Sequence, residues 1–348
     1  MGDERVVKFM SGVVGNRRLC EKLCLDALDD KLSHACIIEG PRGTGKHTIA
    51  RNAAAALACH SKHSPSGVFP CLSCPDCKKV FEGDCPDVIT VGTDGKATLG
   101  VDTVRFLRED VRIVPNDLDY KIYIIEDADK MTPQAQNAFL LTLEEPPSYV
   151  RFFLLCENAG ALLGTIRSRA PVLRTQPIPN DELDRYLCET DMRAAQLKRS
   201  SPDEYAELIM AARNGIGRAL ELLEPRAFTP VKEIRRLITD FADAATDGAR
   251  ASVILPLLSK FAKKREQLLP QLVYLSEAVG DLILLKSTDS ASLSFFADRE
   301  RAAQMCDRVS MSFLYNLNTA VMTAIDSLKM NANVGLTTIK LASDAGLV

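Results

Sequence analysis

Short apolar runs alternate with helix-type patterns over the first half of the chain. The runs are brief and continuous, which is typical of strands buried on both sides. They lie at 34–39, 88–91, 121–125, 151–155 and 171–174. Stretches with helical periodicity separate them, at 5–33, at 48–57, from 101 onward, at 133–144 and around 166–169. This alternation predicts an α/β domain with a parallel sheet and helices on both of its faces.

The second half of the chain has a different pattern. The strand signal stops at a linker that contains Pro177 and Pro179, and from Asp181 onward the periodicity is helical. A first helical segment ends near Glu224, and a longer one follows, with a break around 288–290. We therefore predict three domains, at 1–176, 177–226 and 227–348.

A glycine-rich turn joins the first predicted strand to a helix-prone stretch. It reads Gly40-Pro41-Arg42-Gly43-Thr44-Gly45-Lys46-His47-Thr48. Strand, glycine-rich turn and helix in that order are the context that a P-loop requires. Its backbone N–H groups and the helix N-terminus would bind phosphates, and Lys46 would reach the β- and γ-phosphates. ATP with Mg²⁺ is the candidate ligand, and a purely structural glycine turn is the alternative.

The residue after the lysine departs from the P-loop pattern. A Ser or Thr hydroxyl normally binds Mg²⁺ there, but this chain has His47. Thr48 comes one residue late and lies about 100° further round a helix. The sequence thus predicts nucleotide binding more strongly than hydrolysis.

An acidic pair, Glu126-Asp127, ends the 121–125 strand. In P-loop ATPases, carboxylates in this position orient Mg²⁺ and the attacking water. Motor ATPases show Asp followed by Glu, and this chain has the reverse order. The alternative is an acid pair that caps the next turn.

A cysteine-rich segment interrupts the α/β pattern at 59–87, where apolar periodicity disappears. Cys71, Cys74 and Cys77 form two overlapping C-x-x-C pairs, and Cys59 precedes them. Four thiolates satisfy tetrahedral Zn²⁺, and such a site can fold a module too small for its own core. We predict a structural zinc site held by these four cysteines. The alternatives for the fourth ligand are Cys85, His60 and His63, and free surface thiols are the alternative to a metal site.

Two further residues, Asn158 and Arg218, are candidates on position, whereas Arg169 becomes one only through the resemblance described below. Asn158 follows the 151–155 strand and would point toward a γ-phosphate, although an ordinary turn Asn is as consistent. Arg169 ends a helical stretch and is otherwise a solvated arginine. Arg218 begins a helix after a glycine pair and could reach back to a phosphate.

Composition narrows the class of protein. The 348 residues are 46% hydrophobic and 26% charged, which is ordinary for a globular chain and excludes a disordered one. A net charge of −3 argues against a nucleic-acid footprint over the whole protein. No apolar run suggests a membrane span or signal peptide, and one metal site explains the cysteines better than a disulfide framework. A cytoplasmic protein without a membrane partner is expected.

Several of these stretches together resemble the AAA+ clamp-loader subunits of bacterial DNA polymerase III. The resemblance covers residues 34–220 and rests on the P-loop Gly40–Lys46, the cysteine segment, Gln136–Pro147 with its Leu-Glu-Glu-Pro-Pro ending, Thr165–Arg169 and Gly217-Arg218. It implies an AAA+ domain at 1–176, a helical lid at 177–226 and a helical collar at 227–348 that joins subunits into a ring. The partners it implies are gamma/tau and delta subunits, a sliding clamp and primed DNA, which would be contacted non-specifically through its backbone.

The resemblance also implies roles for individual residues. Asn158 matches the sensor-1 position, Arg169 the arginine finger that acts on a neighbour's nucleotide, and Arg218 the sensor-2 arginine. Leu141 and Ala170 depart from the family pattern, as do His47 and the Glu-Asp order. A weakened site of its own beside an intact finger resembles the delta-prime type, a largely non-catalytic partner. An active gamma/tau-like ATPase motor is the second hypothesis, and a nucleotide-dependent DNA repair or recombination factor is the third.

Overall fold

The computed structural model describes residues 8–9, 13–61, 68–93, 95–288 and 293–348. The chain divides into two compact units. The first comprises Met1–Tyr186 with Asn214–Gly217, and the second comprises Leu187–Arg213 with Arg218–Val348. The division into three domains stays a prediction.

The first unit is built on a five-stranded sheet in which every neighbouring pair is parallel, as predicted. The strand order is β4-β5-β6-β2-β7. The described strands are β1 (Lys8–Phe9), β2 (Ala35–Glu39), β3 (Val68–Phe69), β4 (Val88–Val91), β5 (Lys121–Ile125), β6 (Val150–Cys156) and β7 (Val172–Arg174). β1 and β3 pair in a separate, two-stranded parallel sheet. The helices of this unit are α1 (Arg17–Leu28), α2 (Lys46–Ala58), α3 (Pro75–Glu82), α4 (Val101–Asp110), α5 (Pro133–Glu144) and α6 (Gly164–Arg167).

Side chains of the central strands alternate between two apolar clusters, one on each face of the sheet. Cys36 and Ile38 of β2 pack with α1 and α2, whereas Ala35 and Ile37 pack with α4 and α5. This alternation follows from the period of two along a strand. Burial on both faces explains why the strands read as continuous apolar runs, and it confirms the prediction of helices on both sides.

The predicted helix at 5–33 is wrong in its first half and in its last five residues, because the helix ends at Leu28. Lys8–Phe9 is a strand, and the helix begins only at Arg17. The backbone is left-handed at Gly15 and Asn16, with φ of 66° and 51°, and this conformation interrupts a right-handed helix. The prediction was wrong because the apolar residues before and after this break have the spacing of one continuous helical face.

The remainder of the described chain is helical, as predicted. Its helices are α7 (Asn180–Thr190), α8 (Met192–Ser200), α9 (Pro202–Ala211), α10 (Ile216–Leu222), α11 (Pro225–Thr246), α12 (Ala251–Ser259), α13 (Arg265–Ser287), α14 (Arg299–Asp307), α15 (Met311–Lys329) and α16 (Val334–Asp344). In the second unit α13 packs against α11, α14 and α15. By length and composition alone α13 could cross a membrane, but half of its apolar stretch is buried inside the protein, as in an ordinary core helix.

Asp87, just before β4, fixes the loop that enters β5. The side chain is 1% exposed, and its carboxylate accepts backbone N–H bonds from Asn116, Asp117 and Leu118 at 2.8, 2.6 and 2.9 Å. Asp87→Asn replaces one accepting oxygen with a donor, so a buried amide loses its partner. We expect destabilisation by about 2–3 kcal/mol, measured as faster hydrogen exchange at 116–118 and a lower melting temperature. The exposed neighbour Asp84→Asn is the control, and equal effects of the two changes would contradict this assignment.

Candidate nucleotide and metal sites

The P-loop connects β2 to α2 with a backbone that only glycine adopts easily. Gly43 and Gly45 have φ of 83° and 82°, and Gly45 is the N-cap of α2. A Cβ atom on Gly40 would lie 1.7 Å from Thr175 Oγ1, which excludes a side chain there. Thr44 is 1% exposed, and its hydroxyl bonds Pro41 O and Thr175 Oγ1, so this side chain braces the turn. The loop therefore has the shape that lets amide groups converge on an anion.

Lys46 lies in the first turn of α2, with its ammonium folded over the loop. Its Nζ atom donates to the carbonyls of Gly40 at 2.6 Å and Pro41 at 2.9 Å. Burial lowers the pKa of Lys46, and the nearby acids Glu157, Asp129 and Asp127 oppose that shift. A phosphate would compete with the two carbonyls for the same donors.

His47 occupies the position of the usual hydroxyl-bearing residue and is hydrogen-bonded to Glu126, the first acid of the pair. Its Nδ1 lies 2.5 Å from Glu126 Oε1. This hydrogen bond lowers the pKa of Glu126. On the other edge of the ring, Arg51 Nη2 lies 3.3 Å from His47 Nε2. The imidazole thus engages the carboxylate of Glu126, the first acid of the pair.

Asp127 is held in a fixed orientation. Its backbone is left-handed, with φ of 52°. Its carboxylate accepts from Thr93 Oγ1 at 2.9 Å and pairs with Lys130 Nζ at 3.0 Å. Partial burial disfavours the charge, but these two donors outweigh it and hold the pKa of Asp127 below its ordinary value. Both acids of the pair therefore already have partners within the protein.

Asn158 follows β6 at the carboxyl edge of the sheet, where it was predicted. Its Oδ1 accepts the N–H of Gly160 at 2.8 Å and caps a short 3₁₀ turn at Ala159–Ala161. Asp129 Oδ2 accepts the N–H groups of Glu157 and Asn158 at 3.1 and 3.2 Å. The segment after β6 is thus tied to the segment after β5.

Arg169 lies just beyond α6 and is only partly buried. Its Nη2 donates to Glu144 Oε1, at the end of α5, at 2.9 Å, and its Nη1 donates to Thr165 O at 3.0 Å. The side chain is 36% exposed. These two bonds hold the guanidinium in a defined position at the surface of the first unit.

Arg218 belongs to the second unit and lies on α10. Its Nη1 pairs with Glu221 one turn later at 3.0 Å. Its assignment as a sensor-2 arginine stays a prediction. Thr48 lies within α2, where its carbonyl accepts from Asn52 at 2.8 Å.

Four cysteines converge at the C-terminal end of α2. The Sγ atoms of Cys59, Cys71, Cys74 and Cys77 all lie within 4.8 Å of one another. Cys59 is the C-cap residue of α2, and Cys74 is the N-cap of α3. Within the described chain Cys85 lies outside this cluster. Of the two histidine alternatives, His60 pairs with Asp76 at 3.1 Å, and His63 lies outside the described residues.

The chemistry of this cysteine cluster suits a cation. Backbone N–H groups point at three sulfurs, from Cys71 to Cys59, from Cys74 to Cys71 and from Cys77 to Cys74, at 3.4–3.5 Å. Burial alone would raise the pKa of Cys71, but N–H donors from Ser73 and Cys74 lower it to about 6. Burial raises the pKa of Cys77 and of Cys59, so a bound cation would favour the ionised form of these two thiols. Four converging sulfurs match the tetrahedral Cys₄ set of structural zinc.

The cysteine segment is less separate from the core than its composition suggested. Cys59, Phe69, Cys77 and Val80 are buried in the same apolar cluster that contains α1, α2 and one face of the sheet. The expectation that something other than a core holds this segment is therefore wrong in part. The segment packs along α2, because several of its few apolar residues, among them Phe69 and Val80, are buried there.

A glycine-rich loop between a parallel strand and a helix, with acids at the end of a nearby strand, is the arrangement of a P-loop nucleotide-binding domain. Residues 15–179 match the family described as "DNA polymerase III, delta subunit". The chain is 34% identical over 213 residues to DNA polymerase III subunit tau of Bacillus subtilis, covering 61% of this chain and 36% of that protein. It is 34% identical over 196 residues to subunit delta' of the same organism, covering 56% and 58%. The matched part of this chain thus spans between about a third and three-fifths of the length of those two relatives.

A solved structure gives a weaker match. It is a gamma subunit-related protein of Thermotoga maritima, with 20% identity, a TM-score of 0.48 and coverage of 94% of this chain and 98% of that one. By these sequence matches, the region 15–179 is similar to clamp-loader subunits of DNA polymerase III, as the sequence resemblance indicated.

Sequence reasoning missed the residues that orient the predicted ones. Asp127 is held by Thr93 and Lys130, and the segment at Asn158 is held by Asp129. His47 is held by Arg51, and Arg169 is held by Glu144. One signal was available, because Thr93 and Asp129 both follow strands at the carboxyl edge, where site residues of parallel sheets collect.

Proposed function

We propose that this chain is a delta-prime-type subunit of a DNA polymerase III clamp loader. It would assemble with gamma/tau and delta subunits and help to load a sliding clamp onto primed DNA during replication. Its own P-loop would be weak or inactive in hydrolysis, and Arg169 would act on the nucleotide of a neighbouring subunit.

The observation that carries the proposal is the bond between His47 and Glu126. A motor site needs a P-loop hydroxyl and a free carboxylate around Mg²⁺. Here the residue that replaces the hydroxyl and the carboxylate are bonded to each other at 2.5 Å, and Asp127 is held by Thr93 and Lys130. The same unit presents Arg169 in a partly exposed position. A P-loop site without its usual metal ligands, together with an arginine at the finger position, supports a non-catalytic subunit rather than an ATPase motor.

The cofactors follow from the same sites. Cys59, Cys71, Cys74 and Cys77 would hold one structural Zn²⁺, because their sulfurs converge and receive N–H bonds. The P-loop would bind ATP through its amides and Lys46, and Arg218 is proposed as the sensor-2 contact. Mg²⁺ would lack its usual hydroxyl ligand.

A gamma/tau-like motor is the second candidate, because the identity to subunit tau is 34% and extends over 213 residues. The two candidates differ in what the chain does alone and in a complex. The proposed subunit should co-purify with gamma/tau and delta and be required for clamp loading, yet hydrolyse no ATP by itself. Rapid turnover by the isolated chain would favour the motor.

His47→Thr restores the hydroxyl and removes the imidazole from Glu126. We expect Mg²⁺ to strengthen ATP binding about tenfold in this variant, or about 1.4 kcal/mol, and to have little effect in the wild type. Calorimetric titration with ATP, with and without Mg²⁺, measures both values. His60→Thr, at an exposed histidine on the cysteine segment, is the control. Equal Mg²⁺ dependence in wild type and His47→Thr would show that His47 does not limit metal binding.

A further inference from the structure

The nucleotide and cysteine sites share one helix. α2 has Lys46 and His47 in its first turn and Cys59 at its C-cap. Its 13 residues span about 20 Å. α3, which begins after Cys74 and contains Cys77, packs along α2, and the thiol of Cys77 lies 3.7 Å from the carbonyl of Ala55. The two sites are therefore parts of one packed assembly.

Arg51 is the side chain that contacts both ends of this assembly. It lies one turn after His47 on the same face of α2. Its Nη2 lies 3.3 Å from His47 Nε2, and its Nη1 donates to the carbonyl of Phe81 at 3.3 Å. Phe81 is in the last turn of α3. One guanidinium thus joins the end of the cysteine segment to the residue that engages Glu126.

The chemistry of a guanidinium fixes the direction of these bonds. Arginine only donates, so His47 Nε2 must accept from Arg51. The imidazole proton is then on Nδ1, which donates to Glu126 Oε1 at 2.5 Å. Arg51 therefore selects one tautomer of His47, and that tautomer holds the carboxylate.

We propose that Arg51 is a positioning residue through which the cysteine site controls the phosphate site. An occupied cysteine site fixes α3, Phe81 O then holds Arg51, and Arg51 holds His47 against Glu126. Loss of the metal frees α3 and releases this chain of contacts. The consequence for ATP rests on the proposed function, whereas the coupling itself involves only residues of this chain.

Histidine NMR tests the coupling without nucleotide. The chain has four histidines, so ring ¹⁵N and ¹³C signals can be assigned, and His47→Gln identifies the relevant set. In zinc-loaded wild type we expect His47 to show the Nδ1–H tautomer. In Arg51→Ala that retains one zinc per chain, we expect about a tenfold fall in the ratio of the two tautomers, the size of one lost hydrogen bond to a charged group.

Two further variants make the result specific. Arg51→Lys keeps the charge, but a single ammonium does not reproduce the fork, so it should resemble Arg51→Ala. Arg105→Ala removes an exposed arginine on α4 and should leave His47 unchanged. Chelation of zinc should alter the His47 signals of wild type and not those of Arg51→Ala. An unchanged His47 spectrum in zinc-loaded Arg51→Ala would overturn the coupling, whatever the chain does with ATP.

Discussion

Arg169→Ala is expected to slow ATP hydrolysis at the adjacent subunit of a reconstituted clamp loader by about 10³–10⁵-fold, the usual loss when an arginine finger is removed. The physical reason is that a guanidinium stabilises charge developing on the transferred phosphoryl group. Two bonds, to Glu144 and Thr165, hold Arg169 in place before any partner binds. Single-turnover hydrolysis by the complex measures the effect.

Two variants of the same chain serve as controls for that experiment. Arg167→Ala removes an exposed arginine two residues away and should leave turnover within a few-fold of wild type. Lys46→Ala should be nearly silent, because the proposed function assigns hydrolysis to the neighbouring subunit. A larger loss from Lys46→Ala than from Arg169→Ala would mean that the unusual P-loop hydrolyses ATP and that the gamma/tau-like hypothesis is correct.

Cys59→Ser is expected to abolish zinc binding, whereas Cys85→Ser should retain it. A structural zinc contributes on the order of 10 kcal/mol to the folding of a small module. Cys59 lies within 4.8 Å of the other three sulfurs, and Cys85, although 5% exposed and nearby in sequence, is not part of that group among the described residues. Zinc stoichiometry of the purified proteins decides between the two cysteines.

The same variants show how far the effect of the metal extends. Because the cysteine segment packs into the apolar cluster of α2, Cys59→Ser should accelerate hydrogen exchange both at 71–87 and in the last turns of α2. The strands of the sheet should keep their protection from hydrogen exchange. A wild-type protein that is fully folded without zinc would refute the metal assignment. A Cys85→Ser protein that binds no zinc would show that Cys85, and not Cys59, is the fourth ligand.

The sequence was sufficient for most of the architecture and for the positions of the candidate site residues along it. Buried parallel strands leave continuous apolar runs, and a glycine-rich turn between such a strand and a helix is typical of a P-loop. The contacts among these residues could not be predicted from the sequence. His47 and Glu126 are 79 residues apart and meet only because β2 and β5 end at the same edge of the sheet. Glu144 and Arg169 are 25 residues apart and meet because the ends of α5 and α6 lie close together.

Segment boundaries depended on local backbone geometry that composition does not encode. The helix at 17–28 was extended too far toward the N-terminus, because Asn16 can be an ordinary helical residue as well as a left-handed one. The cysteine segment was assigned too little core, because only a few of its residues are apolar. In both cases tertiary packing decides between conformations that the pattern allows equally.

The left-handed backbone at Asp127 also limits how this protein can evolve. Aspartate tolerates that conformation better than glutamate does, so restoring the Asp-Glu order of a motor would place the less suitable residue at φ of 52°. A new glutamate would also displace the bonds to Thr93 and Lys130, and it would gain nothing while His47 still engages residue 126. Reversing the acid pair alone is therefore neutral or harmful until residue 47 has changed as well. A stepwise return to the motor pattern would therefore have a fixed order, in which residue 47 changes before the two acids.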